Sequence, residues 1–295
     1  MKWFTSIFFV VVLSITVIGC AMKSVNNNLF ENSLAHKQQP QISVQLWSVR
    51  EDVKNDIEAA LRQIAAMGFE GVEFAGEFGI YADNPQGLKQ LLDSLGLKVS
   101  GAHVGFEQFS AENFEKTLAF YRALKCRLLI IPWDERAFDS QGVQVFVSDL
   151  LDLQIKLAPE GFRLGFHNHH QELASYQEAT YWDYIAEQTP PDFILQQDVG
   201  WTTYAGKDPV EYVRRYPGRT LTTHFKATLP EGTQGKLPII GRDTIDWPSL
   251  IKANIDVGGT RWFVVEQEDY PEGMTPMEAL RASKEGLDEV LGQLF

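Results

Sequence analysis

The chain has 295 residues, a formal net charge of −13 and a sequence pI near 4.9. No basic run interrupts that acidic balance, which argues against nucleic acid as a partner and leaves a strongly anionic substrate dependent on a local basic pocket. The length is ample for one large core.

Lys2 gives a short positive start, and Trp3 to Ile18 is an apolar run too short to span a bilayer comfortably. Val17-Ile18-Gly19-Cys20 resembles a bacterial lipobox. Residues 1–19 therefore read as a lipoprotein signal peptide, with cleavage before Cys20 and a lipid on its thiol. Ala21 in the next position resembles an outer-membrane sorting signal. The expected location is lipid-anchored, facing the periplasm or the cell surface, with the lipid as the membrane contact. Residues 20–41 are polar, without apolar periodicity, and read as a flexible tether. With Cys20 modified, Cys126 has no partner and reads as a small buried residue.

From Ile42 onward, β-branched runs alternate with helical patterns. Strand one is Ile42 to Trp47. Ile57, Leu61, Ile64 and Ala65 follow at helical spacing, closed by Gly68. Strand two is Gly71 to Phe74, and Leu88, Leu91, Leu92 and Leu95 form helix two. Strand three is Leu97 to His103, followed by helix three through Phe114, Leu118, Tyr121 and Leu124. Leu128 to Pro132 is strand four and Val143 to Leu157 helix four. Arg163 to Asn168 is strand five, with Tyr181 to Gln188 in helix five. Phe193 to Asp198 is strand six, and Asp208-Pro209 opens helix six. Leu221 to Lys226 is strand seven and Asp246-Trp247-Pro248 starts helix seven. Trp262 to Glu266 is strand eight, and Thr275-Pro276 opens a helix that runs to the C-terminus. Trp247 and Trp262 are expected to pack between helix seven and strand eight. Strict alternation over about 255 residues predicts a single-domain α/β fold, a closed (β/α)8 TIM barrel covering 42–295. No Gly-rich phosphate turn follows strand one, as an open dinucleotide-binding sheet would require.

Strands five to eight each end in a metal-friendly group: His167 with His169, Asp198, His224 with Lys226, and Glu266. In a parallel barrel such ends meet at one mouth. A mixed nitrogen and oxygen set suits Mn²⁺, Mg²⁺, Co²⁺ or Zn²⁺ without choosing among them.

Asp198-Val199-Gly200-Trp201, His224-Phe225-Lys226, Gly241-Arg242-Asp243-Thr244-Ile245-Asp246-Trp247, Val265-Glu266 and the His-Asn-His block ending at Glu172 together resemble the sugar phosphate isomerase/epimerase superfamily, whose members have the xylose isomerase-like barrel. The resemblance implies one divalent metal held by His167, Asp198, His224 and Glu266. Ketose 3-epimerases of that superfamily have a Glu where His167 stands. Glu73, at the end of strand two, is the candidate compensating carboxylate, as ligand or base. Lys226 is placed to contact a sugar hydroxyl or an enolate oxygen, although Ala227 replaces the Asp that often follows it. His103 is a candidate acid–base group. His169 and Glu172 are expected to support the metal or touch substrate, and His170 to face away. Trp47, Trp133, Trp201 and Phe106 lie near strand ends where aromatic faces stack on sugars.

Such a site suits proton abstraction α to a carbonyl through an enediolate, with Glu266 or Glu73 as base and His103 or His169 as partner acid. The main expectation is an isomerase or epimerase acting on a neutral sugar or keto-sugar. The alternative is a lyase or hydrolase acting on 3-keto-glycosides, or an elimination of the inosose dehydratase kind. A non-catalytic carbohydrate-binding lipoprotein is a third reading. A nuclease on the same barrel would need many His ligands, and this chain has six His in all, with His36 in the tether. The sequence leaves the oligomeric state open.

Overall fold

The computed structural model describes residues 39–295. The signal peptide, Cys20 and the tether before Gln39 lie outside the described residues. Eight parallel strands run β1 (Gln41–Gln45), β2 (Gly71–Phe74), β3 (Lys98–His103), β4 (Leu128–Ile131), β5 (Arg163–His167), β6 (Ile194–Gln196), β7 (Thr222–Lys226) and β8 (Trp262–Glu266). The crossover helices are α1 (Ile57–Ala66), α2 (Pro85–Ser94), α3 (Phe114–Ala123), α4 (Val143–Leu157), α5 (Tyr181–Gln188), α6 (Pro209–Arg215), α7 (Trp247–Ala253) and α8 (Pro276–Leu294). The strand order is β6-β5-β4-β3-β2-β1-β8-β7. A parallel bridge between Asp198 and His224 closes the ring, with His224 N donating to Gln197 O at 2.9 Å. The fold is a single-domain TIM barrel, and its seam closes at the mouth. Among the described residues no helix is long and apolar enough to cross a membrane.

Local chemistry sets the helix ends. Asp56 caps α1 by accepting from Ala59 N, and Asn84 caps α2 by accepting from Gly87 N, with Pro85 in the first turn. Thr275 and Glu278 form a reciprocal capping box ahead of α8. Gly68 closes α1 at φ +84°, a conformation that a side chain would strain.

Two strands end two residues earlier than their sequences suggest. Gln45 accepts from Trp47 N at 3.2 Å, so the chain turns at Leu46–Val49 and Trp47 leaves the strand. Asp198 caps a short helix, Val199–Tyr204, by accepting from Trp201 N at 2.7 Å, so β6 stops at Gln196. A small hairpin pairs Ser175–Tyr176 with Ala179–Thr180. Trp247 packs on Phe225, which belongs to β7, where contact with strand eight was expected. Trp262 instead reaches across β1 towards Gly71, because β8 turns that residue to the inside. Cys126 is buried, its thiol donating to Leu128 O and pushed up to about 12 by that burial.

The large apolar core lies between the outer face of the sheet and the helices. Inside the barrel, Leu128, Ile130 and Ile194 form a separate apolar floor. Gly165 on β5 leaves the room for it. A Cβ there would stand 2.5 Å from Ile130 Cδ1 and 2.7 Å from Ile194 O. Gly165→Ala is therefore expected to lower stability by about 1–3 kcal/mol through overpacking, read as a lower urea midpoint with unchanged slope. An unchanged midpoint would show that the floor yields without strain.

Candidate metal site and active-site cleft

Side chains alternate along a strand, so a residue type two positions from another shares its face. β7 thus turns both His224 and Lys226 inward. β5 ends in His167, β8 ends in Glu266, and the residue that caps the helix after β6 is Asp198. His167, Asp198, His224 and Glu266 are all buried, and each offers one ligand atom within 4.8 Å of the others. His167 Nε2 is 3.1 Å from His224 Nδ1, which is 3.1 Å from Glu266 Oε2. Asp198 Oδ2 is 3.5 Å from His167 Nε2 and 3.9 Å from His224 Nδ1.

This arrangement fits a divalent cation. Ligands at about 2.0–2.2 Å from an ion stand roughly 3–3.5 Å from one another, which is the spacing of most of these pairs. Asp198 Oδ2 is buried and accepts no hydrogen bond. An unsatisfied buried carboxylate oxygen is costly, and a cation between it and the two imidazoles would satisfy it.

The side chains behind the cluster are equally specific. Glu73 is fully buried and lies on the far side of His224, accepting from its Nε2 at 2.6 Å. Gln45 donates to the same carboxylate at 2.8 Å, Gln196 donates to its other oxygen at 2.8 Å, and His103 Nε2 is 3.3 Å away. Glu73 is thus outside the four-atom cluster and does not line the cleft. Asn168 Oδ1 accepts from Asp198 N at 2.9 Å and ties the ends of β5 and β6 together. Glu172 is also buried, accepting from His169 N at 2.9 Å, and it shapes the turn after β5 rather than facing the cleft.

Lys226 is buried over the Trp201 ring at 4.0 Å and lies 3.9 Å from Asp198 and 4.0 Å from Glu266. Its ammonium is bonded to Glu268, whose other oxygen accepts from Trp47 Nε1 at 3.0 Å. Sequence reasoning missed Glu268. The signal was there, because it stands two residues beyond Glu266, as Lys226 stands two beyond His224.

Above the cluster opens a cleft of about 870 Å³. His103, His167, His169 and Glu266 line its depth, and Trp47, Trp133 and Trp201 flank it. Trp47 and Trp133 are 44% and 41% exposed, which is unusual for a residue of that size. Phe106 packs instead on Phe146. His170 turns to Trp201 and Tyr204, away from the ligand cluster.

Electrostatics follow from burial against pairing. Burial alone would lower His224, but Glu73 and Glu266 raise it to about 10. Burial would raise Glu266, yet His224 and Lys226 hold it well below the usual carboxylate range. Burial pushes Asp198 up to about 7 against the pull of Lys226. Burial, then repulsion from His167, pushes His169 down to about 2, and burial also lowers His103. Burial raises Glu172 to about 7.

Residues 61–290 match the family described as the xylose isomerase-like TIM barrel. Among curated proteins, an inosose dehydratase of Geobacillus kaustophilus is 22% identical over 277 residues, covering 81% of this chain and 88% of that protein. Among solved structures, a sugar phosphate isomerase/epimerase from Parabacteroides distasonis superposes with a TM-score of 0.68 at 22% identity, covering 83% of this chain and 96% of the other. The IOLI protein, solved with a bound zinc atom, superposes with a TM-score of 0.63 at 14% identity, covering 86% of this chain and 99% of the other. At these identities the superpositions carry the fold.

Two measurements probe the cluster. Glu73→Gln replaces the carboxylate that orients His224 with a neutral amide that has one acceptor oxygen for three donors, and is expected to weaken divalent-metal affinity by about 10–100-fold, by titration calorimetry on folded protein. Affinity that is unchanged would mean that Glu73 does not support the ligand. Metal must also displace protons. Below the Asp198 value of about 7, two protons leave, from Asp198 and His224; between about 7 and 10 one leaves, from His224. Affinity is therefore expected to rise with pH, by up to about 100-fold per unit below pH 7 and about tenfold per unit above it. A pH-independent affinity from 6 to 8 would exclude these residues as the ligands.

Proposed function

Because the chain belongs to the xylose isomerase-like TIM barrel family, we propose that it is a metal-dependent enzyme that removes a proton beside the carbonyl of a neutral keto-sugar or inosose and expels the substituent one carbon further on. The observation that carries this reading is the convergence of His167, Asp198, His224 and Glu266 at the foot of an open cleft. The inosose dehydratases among the curated relatives support elimination. That moves the elimination reading ahead of isomerisation or epimerisation, which share the first step and differ in where the proton returns. A binding-only role would leave the converging ligand groups without a use.

A divalent cation bound there would act as a Lewis acid, drawing charge onto the carbonyl oxygen as the neighbouring proton leaves. The chain's own groups divide the remaining work. Glu73 holds the His224 ring in one tautomer and orientation through its Nε2, leaving Nδ1 for the ion. We place Glu73 in this supporting role rather than as base, since both of its oxygens are taken and neither reaches the cleft. Glu266 lines the cleft with Lys226 4.0 Å away, and its carboxylate is placed to hold the ion and to receive the proton. His103 and His169 line the same space as neutral imidazoles; His103 gives its Nε2–H to Gln196 Oε1 at 2.8 Å, which leaves a ring N–H of His169 as the donor for the departing oxygen. Lys226 offsets the carboxylates, and Glu268 fixes the ammonium against Trp201. Trp47 and Trp133 offer flat faces at the rim for the C–H side of a ring.

The expected lipid anchor on Cys20 and location outside the cytoplasm belong to the same proposal, and they favour an unphosphorylated substrate. The loop after β7, Thr228-Leu229-Pro230-Glu231-Gly232-Thr233, holds no clustered base for a phosphate.

The test is turnover of metal-loaded protein with inososes and neutral 3-keto-sugars in deuterated water. Enone absorbance is expected to rise, and recovered substrate is expected to carry deuterium at the α carbon. Deuterium without enone would restore isomerisation or epimerisation. Neither signal with any of these compounds would remove the enzyme reading. Glu266→Gln is expected to lose turnover, and full activity with metal retained would exclude it as base.

A further inference from the structure

The cleft is larger than one ring requires. Its volume of about 870 Å³ sits towards the top of the roughly 300–1,000 Å³ typical of drug-sized ligand pockets. A single polyol ring seated between the ligand cluster and Trp133 leaves much of that space unfilled. The surplus extends to one side, over the loops after β2 and β3 and along the first turns of α3.

The walls change character along that arm. At the metal end they are imidazoles and carboxylates. In the arm they are Phe78, Val104, Phe120 and Tyr121. Phe78 and Phe120 stand edge to face with centroids 4.5 Å apart, and Tyr121 backs Phe78 at 6.3 Å. Phe78 and Phe120 are only partly buried, so apolar ring surface stays open to the cleft, where covering it is favourable. Of the polar groups beside them, two are committed to the loop, while Glu107, Gln108 and Lys116 stand exposed to solvent. Asn113 Nδ2 donates to Glu107 O at 3.1 Å and Thr117 Oγ1 donates to Gln108 O at 2.8 Å. The ring surfaces of Phe78 and Phe120 make the wall that faces the cleft, and an aromatic ring finds edges and faces to pack on there.

We propose that this arm is an aglycone subsite, and that the substrate is a keto-glycoside with an aromatic ring on its anomeric oxygen. The proposal rests on the elimination reading above and narrows its substrate. For a glycoside whose carbonyl is at carbon 3, the proton leaves carbon 2 to the base. The electron pair of that C–H bond forms the double bond between carbons 1 and 2. The bond from carbon 1 to the glycosidic oxygen breaks, its pair stays on that oxygen, and the oxygen takes up one proton to leave as a phenol. The products are an unsaturated keto-sugar and a phenol, with no oxidant, reductant or water consumed.

Binding and turnover are tested separately on the metal-loaded protein. Phenyl and methyl glucosides, which lack the carbonyl and do not react, are titrated calorimetrically. The phenyl compound is expected to bind at least about tenfold more tightly. Phe120→Ala, and Phe78→Leu as a second variant should the first not fold, is expected to remove that preference while leaving inosose turnover unchanged. Equal affinity of the two glucosides for the unaltered protein overturns the subsite, as does a preference that both folded variants retain. A phenyl preference that depends on Phe120, in a protein that turns over no keto-sugar, upholds the subsite and defeats the elimination reading instead. With active protein, the phenyl 3-keto-glucoside is expected to show a lower KM than its methyl counterpart and to release phenol in step with the enone.

Discussion

The pairing of Glu73 with His224 is the constraint on which the rest of the site depends. It joins β2 to β7 across the interior of the barrel, between residues 151 positions apart in sequence, at 2.6 Å. Neither group has solvent access, so each needs the other. Removing one partner from such a buried pair typically costs about 3–5 kcal/mol, because the remaining charge has nothing to face. Gln45, Gln196 and His103 complete the shell around the carboxylate, and through Gln196 the network reaches Thr222 on β7 at 2.8 Å. Every strand of the network then has a reason to keep its register.

That network forms the middle of three levels inside the barrel. Below it, Leu128, Ile130 and Ile194 exclude water, and the small cross-section at Gly165 lets them meet. Above it lie the four candidate ligand groups and then the cleft. A polar layer in a dry interior is tolerable only when each group is bonded. Here the bonds are nearly complete around Glu73 and incomplete at Asp198 Oδ2 and His167 Nδ1. Those two atoms lie at the mouth, where the proposed cation and substrate would enter; Ser43 Oγ, on the inward face of β1 below Gln45, is a further buried atom without a partner. The barrel also closes between Asp198 and His224, so the ligand cluster and the seam of the sheet are one structure.

The acidic character of the whole chain is reversed locally in one respect. Lys226 is buried among Asp198, Glu266 and Glu268 and is held against Trp201. It lowers the electrostatic cost of gathering carboxylates in one place. Glu268 in turn ties Lys226 to Trp47, so the loop after β1 and the loop after β8 are joined over the site. An ion pair of this kind sets position more than it adds stability, and position is what a proton transfer beside a carbonyl demands.

The chain order of strands and helices was legible in the sequence because alternation and helical spacing are local, and caps such as Asn84 with Pro85 or Thr275 with Glu278 act within one turn. The residue types of the candidate ligands were legible for the same reason, since each stands within two residues of a strand end and a parallel barrel brings such ends together. Tertiary structure alone decided what lies behind and around them. Nothing near Glu73 in sequence says that its carboxylate turns to His224, nothing near Asn168 says that it holds Asp198 N, and the apolar arm is assembled from Phe78 and Phe120, which lie on different repeats. Those relations depend on strand register and on the closure of the ring, and both are fixed only when the whole barrel packs.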